Sequence, residues 1–572
     1  MHKKIYFSFI LILTFVSYSC EDMLEPKDEN IINEEFVFND PVFSEGILLN
    51  GYNLIPTFSS VNNALDMATD NAVCNQPTNN ILRMGTGELS SFFNPANRWG
   101  RYSNILYVNK FLENSNDVVW SNDPTINTYF SDRLKGEALA LRALQHFYIL
   151  QAHAGVSNNG TLLGIPYIDQ FIEVDGDFNT PRLSFQETVE RINNDFEEAF
   201  NLLPYVYTNN ASEIHPKDQN KDEEAYLLVN SPNYEGRFCG LFVRAFQAKL
   251  NLLAASPAYL NSQDYYRKAA EYAAETINSA WNNILPTDGL TFYENNSSEI
   301  LWAQPRSNNF SLEEDVYPPF IDGDGGDGRI NPSHNLVASF PLANGYPATT
   351  SNGLDSQNPY DNRDPRLQAY IVTNGSSISG QNINTGISGG GNRVDSLVTR
   401  STRTGYYLRK HTVSNVSISQ SGGSVSAFHY DGYLRATELF LILAEAQNEV
   451  VGADGVLPGS FLSAREILAQ IRKRPQNPGF VDNYLNGLSD ITDLIKNERR
   501  IELCFEGARF WDLRRWNLPL NEEVIGSEFL GATDGYQTFS VENRNFQEFA
   551  RFMPISNSEI QKFSALEQNN GW

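Results

Sequence analysis

Several things that would narrow the chemistry of this 572-residue chain are scarce or missing. It holds four cysteines and seven histidines. Cys20 closes an N-terminal apolar stretch, so Cys74, Cys239 and Cys504 remain and at most one disulfide can form among them. A disulfide scaffold is thereby excluded. Cys504, set among apolar residues on an expected helix, reads as a buried free thiol. Positive charge is short: 42 Lys and Arg against 69 Asp and Glu leave a formal charge of −27. A surface of that sign repels nucleic acid and anionic polymers, which are excluded as main partners. Beyond the first twenty residues no apolar run is long enough to cross a bilayer. The sequence has no H-E-x-x-H, no G-x-S-x-G and no P-loop. His146 and His153 stand two helical turns apart, too far to share a metal, and are assigned to packing. Paired carboxylates for glycoside hydrolysis need only meet in space, so among 69 acids a chance pair argues nothing. No enzyme is expected.

What is present begins with an address. "MHKK" is positive, "IYFSFILILTFV" apolar and "SYSC" small up to Cys20, the layout of an export signal. A cysteine directly after small residues resembles a bacterial lipoprotein cleavage site, although Ser17 and Tyr18 depart from the usual residues. An ordinary secretory signal is the alternative. Residues 1–19 are thus expected to be a signal, and 20–40 an acidic tether behind a lipidated Cys20.

Helical periodicity dominates the rest. In "SFQETVERINNDFEEAFNLLP", Ser184 and Glu187 form a capping box. Phe185, Val189, Ile192, Phe196, Ala199 and Leu203 make one stripe, and Pro204 stops it. Further helices are expected near 99–113, 132–153, 240–256, 262–279, 432–450, 460–474 and 489–516. Alanines such as Ala138, Ala140, Ala143, Ala269, Ala270, Ala273 and Ala274 permit close helix contact. The pattern predicts a mainly α protein, a tetratricopeptide-like array of helical hairpins, without the strict repeat consensus. Residues 41–284 form its first part and 432–572 complete the same unit. Between them, 285–431 has no sustained helical period and is rich in Gly, Asn, Ser and Pro. A long loop-rich insertion on a rigid scaffold is the expected ligand face.

Within it, "IDGDGGDGRINP" matches G-x-G-x-x-G, but no strand precedes it and its acids would repel a pyrophosphate. Asp322, Asp324 and Asp327 are calcium candidates; the EF-hand pattern fails at Gly326, and a solvated turn is preferred. No cofactor is expected. Aromatics are abundant, at 12%. "FFNPANRWGRY" places Phe92, Phe93, Trp99 and Tyr102 about a loop entering a helix, and the insertion adds Tyr293, Trp302, Phe310, Tyr317 and Phe320. Aromatic faces can cover the C–H face of a sugar while polar side chains bind its hydroxyls; the alternative for each is core packing. Trp302, in an alternating stretch, reads as core. Tyr317 and Phe320, beside prolines and an acidic loop, read as least core-like.

The densest stretch is "NERRIELCFEGARFWDLRRWN", residues 497–517. On one helix Arg499, Glu502, Glu506, Arg509 and Asp512 share a stripe able to pair, flanked by apolar stripes, so the segment is expected to be buried. Gly507 is expected to permit close backbone approach.

That stretch resembles the C-terminal signature of the SusD/RagB family of surface glycan-binding lipoproteins. "RWGRYSNILYVNKFL", "KGEALALRALQHFYIL", "PYDNRDPRL", "RATELFLILAEAQNEV" and "FMPISNSEIQKFSALEQNNGW" resemble further family segments in the same order. The resemblance implies an outer-membrane, outward-facing, lipid-anchored protein. It would capture oligo- or polysaccharide and deliver it to a SusC-like TonB-dependent transporter. Carried over by position, it suggests Asp70, Arg83 and Trp99 as ligand-binding residues, with Tyr317 and Phe320 added from the insertion. Some relatives bind peptides, so a peptide-capture subunit is the alternative, and a secreted glycoside hydrolase a more distant one.

Overall fold

Local sequence sets where each helix starts. The computed structural model describes residues 34–572, apart from 60–63, 320–324, 379, 420–421 and 477–478. The principal helices are α1 (Tyr102–Asn114), α2 (Pro124–His153), α3 (Phe185–Leu202), α4 (Gly240–Ala255) and α5 (Gln263–Trp281). After the insertion come α6 (Ala436–Val451), α7 (Ala464–Lys473), α8 (Thr492–Glu502) and α9 (Ala508–Arg515). Helix α2 starts a full two turns before its apolar stripe. Asp123 accepts hydrogen bonds from the Thr125 and Ile126 amides and Pro124 occupies the first turn, a cap strong enough to extend the helix upstream. The Ser184 hydroxyl caps α3 by accepting from the Glu187 amide. All six residues of its expected stripe are buried.

The helices pack in chain order, α1 on α2, α2 on α3, α3 on α4 and α4 on α5. Helix α5 then packs against α6 across the whole intervening insertion, and α6 receives α7 and α8. Alanines line these seams: Ala138, Ala140 and Ala143 on α2, and Ala269, Ala270, Ala273 and Ala274 on α5 are buried, letting backbones approach. The result is one continuous helical array with its own hydrophobic core.

A second core lies beside it, built largely from the insertion and the C-terminal part. The insertion is loop-rich as expected, but much of it faces inward. Tyr370, Ile371, Val372, Tyr406 and Tyr407 are fully buried. Short antiparallel ribbons tie it down: Ile300–Ala303 to Gly432–Arg435, Ser307–Asn309 to Ala427–His429, and Ile330–Pro332 to Ala72–Cys74. The expected helix at 432 therefore begins only at Ala436, because Gly432–Arg435 pair with a strand more than a hundred residues upstream. Trp302 is core, as its alternating context indicated. It is 1% exposed, its indole N–H donates to the Gly236 carbonyl at 2.8 Å, and it stacks on Phe242 with ring centroids 5.1 Å apart.

The expected single helix over 489–516 is two. Helix α8 ends at Glu502, residues 503–507 turn, and α9 starts at Ala508. Phe505 and Gly507 adopt left-handed backbone angles, with φ of 62° and 75°. Gly507 is thus required by its φ and not by crowding, since a Cβ there would meet no atom within 4 Å. Cys504 sits in this turn and not mid-helix; Cys74, Cys239 and Cys504 are all buried free thiols.

Candidate functional site

Most of the charged residues of the 497–517 stretch are buried, with Arg500, Glu506 and Arg509 partly so, and they pair mostly outside it. Only Arg499 and Asp512 meet within the expected stripe, at 3.2 Å. Glu502 binds Arg366 at 2.9 Å and Arg474 at 3.0 Å; Glu498 binds the same Arg366 at 2.8 Å and Arg472 at 2.5 Å. Glu506 binds Lys410 at 2.6 Å and Arg435 at 2.8 Å, and Arg435 also holds Glu299 at 2.8 Å. Burial alone would raise the carboxyls of Glu502 and Glu506, but the surrounding cations hold both at about 2. Helix turn α8–α9 makes this possible by swinging Glu506 off the axis of α8 toward the insertion. The stretch is an ionic seam joining the two cores.

The same seam claims Asp70. It is 5% exposed and lies 2.8 Å from Arg500 and 2.9 Å from Arg509. Burial opposes its charge, yet the two guanidiniums hold its carboxyl at about 2. Tyr317 is also interior, contrary to the expectation from its prolines. It is 3% exposed, packs in the second core and hydrogen-bonds the Val413 carbonyl, and burial pushes its hydroxyl up to about 12. Trp99 is half-buried against the helical array, edge-on to Tyr102 at 5.0 Å and to His153 at 5.4 Å. His146 and His153 are packed neutral rings, accepting from the Ile168 and Arg98 amides, and burial lowers both to about 3. Asp327 is engaged by Arg329 and Arg400, the latter at 3.4 Å. Cys20, Phe320, Asp322 and Asp324 lie outside the described residues.

Arg83 reaches the surface, with its side chain 38% exposed. Asn79 caps the short helix Asn80–Arg83 by accepting from the Ile81 and Leu82 amides. The chain then turns through Gly87, whose φ is 115° and which the Asn545 side chain closely approaches. Ser90 and Phe93 exchange backbone hydrogen bonds of 3.0 and 3.1 Å, pinching a tight turn that leaves Phe92 at its tip, 82% exposed. Amides of the C-terminal part hold the loop: Asn545 donates to the Gly85 carbonyl at 3.0 Å and Asn557 to the Ser91 carbonyl at 2.9 Å. The Arg83 guanidinium lies 4.7 Å over the Phe93 ring and its Nε is 3.0 Å from both Glu88 carboxylate oxygens. Asn80, Thr86 and Asn545 are exposed around them.

This surface offers the exposed Phe92 ring, a half-buried Phe93 ring under a guanidinium fixed by a carboxylate, and exposed amides and a hydroxyl. It suits an uncharged, hydroxyl-rich ligand with an apolar face. Phe92 and Phe93 were visible in the sequence as an aromatic pair in a Ser-Asn-Pro loop with no core periodicity. Phe92 stands out at the tip, 82% exposed, while Phe93 packs part of its ring against the second core.

The family profile described as SusD family matches residues 293–572, and one described as starch-binding associating with outer membrane matches residues 44–219. Together they cover the first helices of the array, nearly all of the insertion and the C-terminal part, with residues 220–292 between them, and the chain belongs to the SusD/RagB family. A SusD-like protein, P38, of Formosa agariphila is 23% identical over 563 residues, spanning 92% of this chain and 93% of that one. A SusD-like protein from Bacteroides fragilis shares the fold at a TM-score of 0.71 and 20% identity, over 95% of this chain and 99% of its own. A SusD-like carbohydrate binding protein from the same species superposes at 0.66 with 19% identity, over 92% and 99%.

Proposed function

We propose that this protein is a cell-surface lipoprotein that captures oligo- or polysaccharide without transforming it. It would pass the glycan to a SusC-like TonB-dependent transporter in the outer membrane. The observation that carries this proposal is the exposed Phe92 ring beside Arg83 and the half-buried Phe93, on a loop that the C-terminal part clamps in place. The family profile named for starch binding at the outer membrane, and the carbohydrate-binding relative, support the same ligand class. Attachment would come through Cys20, with residues 20–40 as tether. A shallow platform desolvates little area, so each site should bind weakly and gain through many sites on one polymer.

The test is affinity electrophoresis through gels carrying a panel of neutral polysaccharides, with reducing ends assayed in parallel. At least one polymer should retard the protein, with no new reducing ends. The pair Phe92→Ala/Phe93→Ala should weaken retention at least tenfold, about 1.4 kcal/mol, at unchanged far-UV circular dichroism. Retention that ignores the double substitution removes this surface as the site. Retention by no glycan, with a co-purifying peptide seen by mass spectrometry, favours a peptide-capture subunit instead.

A further inference from the structure

A cavity of about 590 Å³ lies between the two cores, within the roughly 300–1,000 Å³ of small-molecule pockets. Tyr148, Leu252, Leu253 and Ile442 wall it from the helical array, and Phe505 and Trp511 from the other side. Neither Arg83, Phe92 nor Phe93 lines it. Its rim is exposed at Leu54, Pro56, Asn97, Gly100 and Gln304.

The charge balance of its wall is uneven. Three carboxylates face it and each is taken: Glu438 by Lys249 at 2.8 Å, Asp512 by Arg499 at 3.2 Å and Arg515 at 2.7 Å, and Glu506 by Lys410 and Arg435. Arg98 and Arg101 meet no carboxylate among the described residues. Arg98 Nη1 donates to the Gln151 side chain at 2.6 Å and Arg101 Nη1 to the Gln145 side chain at 2.8 Å. Both guanidiniums stack on the Tyr148 ring, at 5.1 and 4.7 Å, and Arg98 also lies 4.8 Å over Trp511. Nη1 of Arg499, a residue 5% exposed, has no hydrogen-bond partner among the described residues. Burial draws Arg98 down to about 9, helped by the charge of Arg101, and burial draws Arg101 to about 10. Two neighbouring cations without a carboxylate, Arg101 buried and Arg98 half-buried, are costly unless an anion joins them.

We propose that this cavity binds a small sugar acid, its carboxylate on Arg98 and its ring along Trp511 and Tyr148. Arginine is suited to the role because its planar fork binds carboxylate in two bonds and stacks on aromatic faces. Gln151 and Gln304 provide amides for ring hydroxyls. The site is separate from the Phe92 surface and does not depend on it.

Calorimetry and thermal unfolding of the full chain with galacturonate, digalacturonate and the neutral counterpart galactose test the proposal. One or both acids should release or absorb measurable heat and raise Tm, and galactose should do neither. Arg98→Gln should weaken acid binding at least tenfold, while Arg98→Lys keeps part of it. Gly100→Trp supplies a second arm should Arg98→Gln fail to fold. A Cβ at Gly100 meets no atom within 4 Å, so the new ring should obstruct the rim and weaken binding with the Tm of the free protein unchanged. Polysaccharide retention in gels should be the same in both variants, which separates this site from the surface one. The proposal is overturned if the acids bind no better than galactose, or if Gly100→Trp binds them as the parent protein does.

Discussion

Replacing Arg366 by methionine withdraws the cation that three carboxylates share. Arg366 is fully buried, 2.7 Å from Asp364, 2.8 Å from Glu498 and 2.9 Å from Glu502. The three acids do not suffer equally. Glu498 keeps Arg472 at 2.5 Å and Glu502 keeps Arg474 at 3.0 Å, whereas Asp364, 1% exposed, has no other ion pair among the described residues. Methionine nearly fills the vacated space, so the loss is that of one uncompensated buried carboxylate, about 3–5 kcal/mol. In urea, followed by tryptophan fluorescence and far-UV circular dichroism, the midpoint should fall by on the order of 1 M. The pair Arg366→Met/Asp364→Asn keeps the side-chain oxygen that accepts from the Arg366 amide and removes the abandoned charge. It should regain at least half of the loss. A single substitution costing under about 1 kcal/mol, or a double no more stable than the single, would refute the assignment of the cost to Asp364.

Acid should weaken the protein in two stages. Burial holds His146, His153 and His411 at about 3 and His334 at about 4, all below their ordinary 6.5. Below pH 6.5 the unfolded chain therefore binds more protons and stability falls, by up to about 1.4 kcal/mol per pH unit for each ring. Glu313 raises His429 and offsets part of one such contribution. Below about 4.5 Glu502 and Glu506, and below about 3.8 Asp70, add to the decline, since their folded values near 2 lie under their ordinary ones. Urea midpoints at pH 8, 6, 5 and 4 should be level at first and then drop; a level profile from 8 to 5 contradicts the buried neutral histidines. Asp70→Asn strands Arg500 and Arg509 and should cost about 3–5 kcal/mol by the same denaturation measurement. Gly507→Ala forces a left-handed alanine where space is open, a loss of about 1–2 kcal/mol from backbone strain alone. A loss beyond that range would mean the site is crowded after all.

Much of the scaffold was legible because its signals are local. The stripe of α3, its Ser184 cap and the Ala-rich seams are written within a few turns of sequence. The start of α6 and the break after α8 were not. Gly432–Arg435 take their conformation from residues 300–303, and the turn at 503–507 lets Glu506 reach Lys410 and Arg435, partners no periodicity reveals. Site residues failed for the same reason. Asp70 looks like any loop acid until Arg500 and Arg509 are placed beside it, and Tyr317 looks exposed until the insertion is seen to fold inward. The aromatic pair in the 90–93 turn was visible too, but only Phe92 is displayed; Phe93 packs against the second core, a difference the sequence pattern does not carry.

The ionic seam also fixes an order of events. Asp70 waits for Arg500 and Arg509, and Thr69 and Ala72 for the side chain of Arg544, while the His153 carbonyl, already met by Arg182, gains Asn569 as a second donor. A growing chain that has emerged as far as α5 can assemble helical hairpins but holds buried polar groups with nothing to meet them. Its first third remains open to chaperones and to proteases until the last tenth arrives. Completion is a clasp made once, late, and by both ends together.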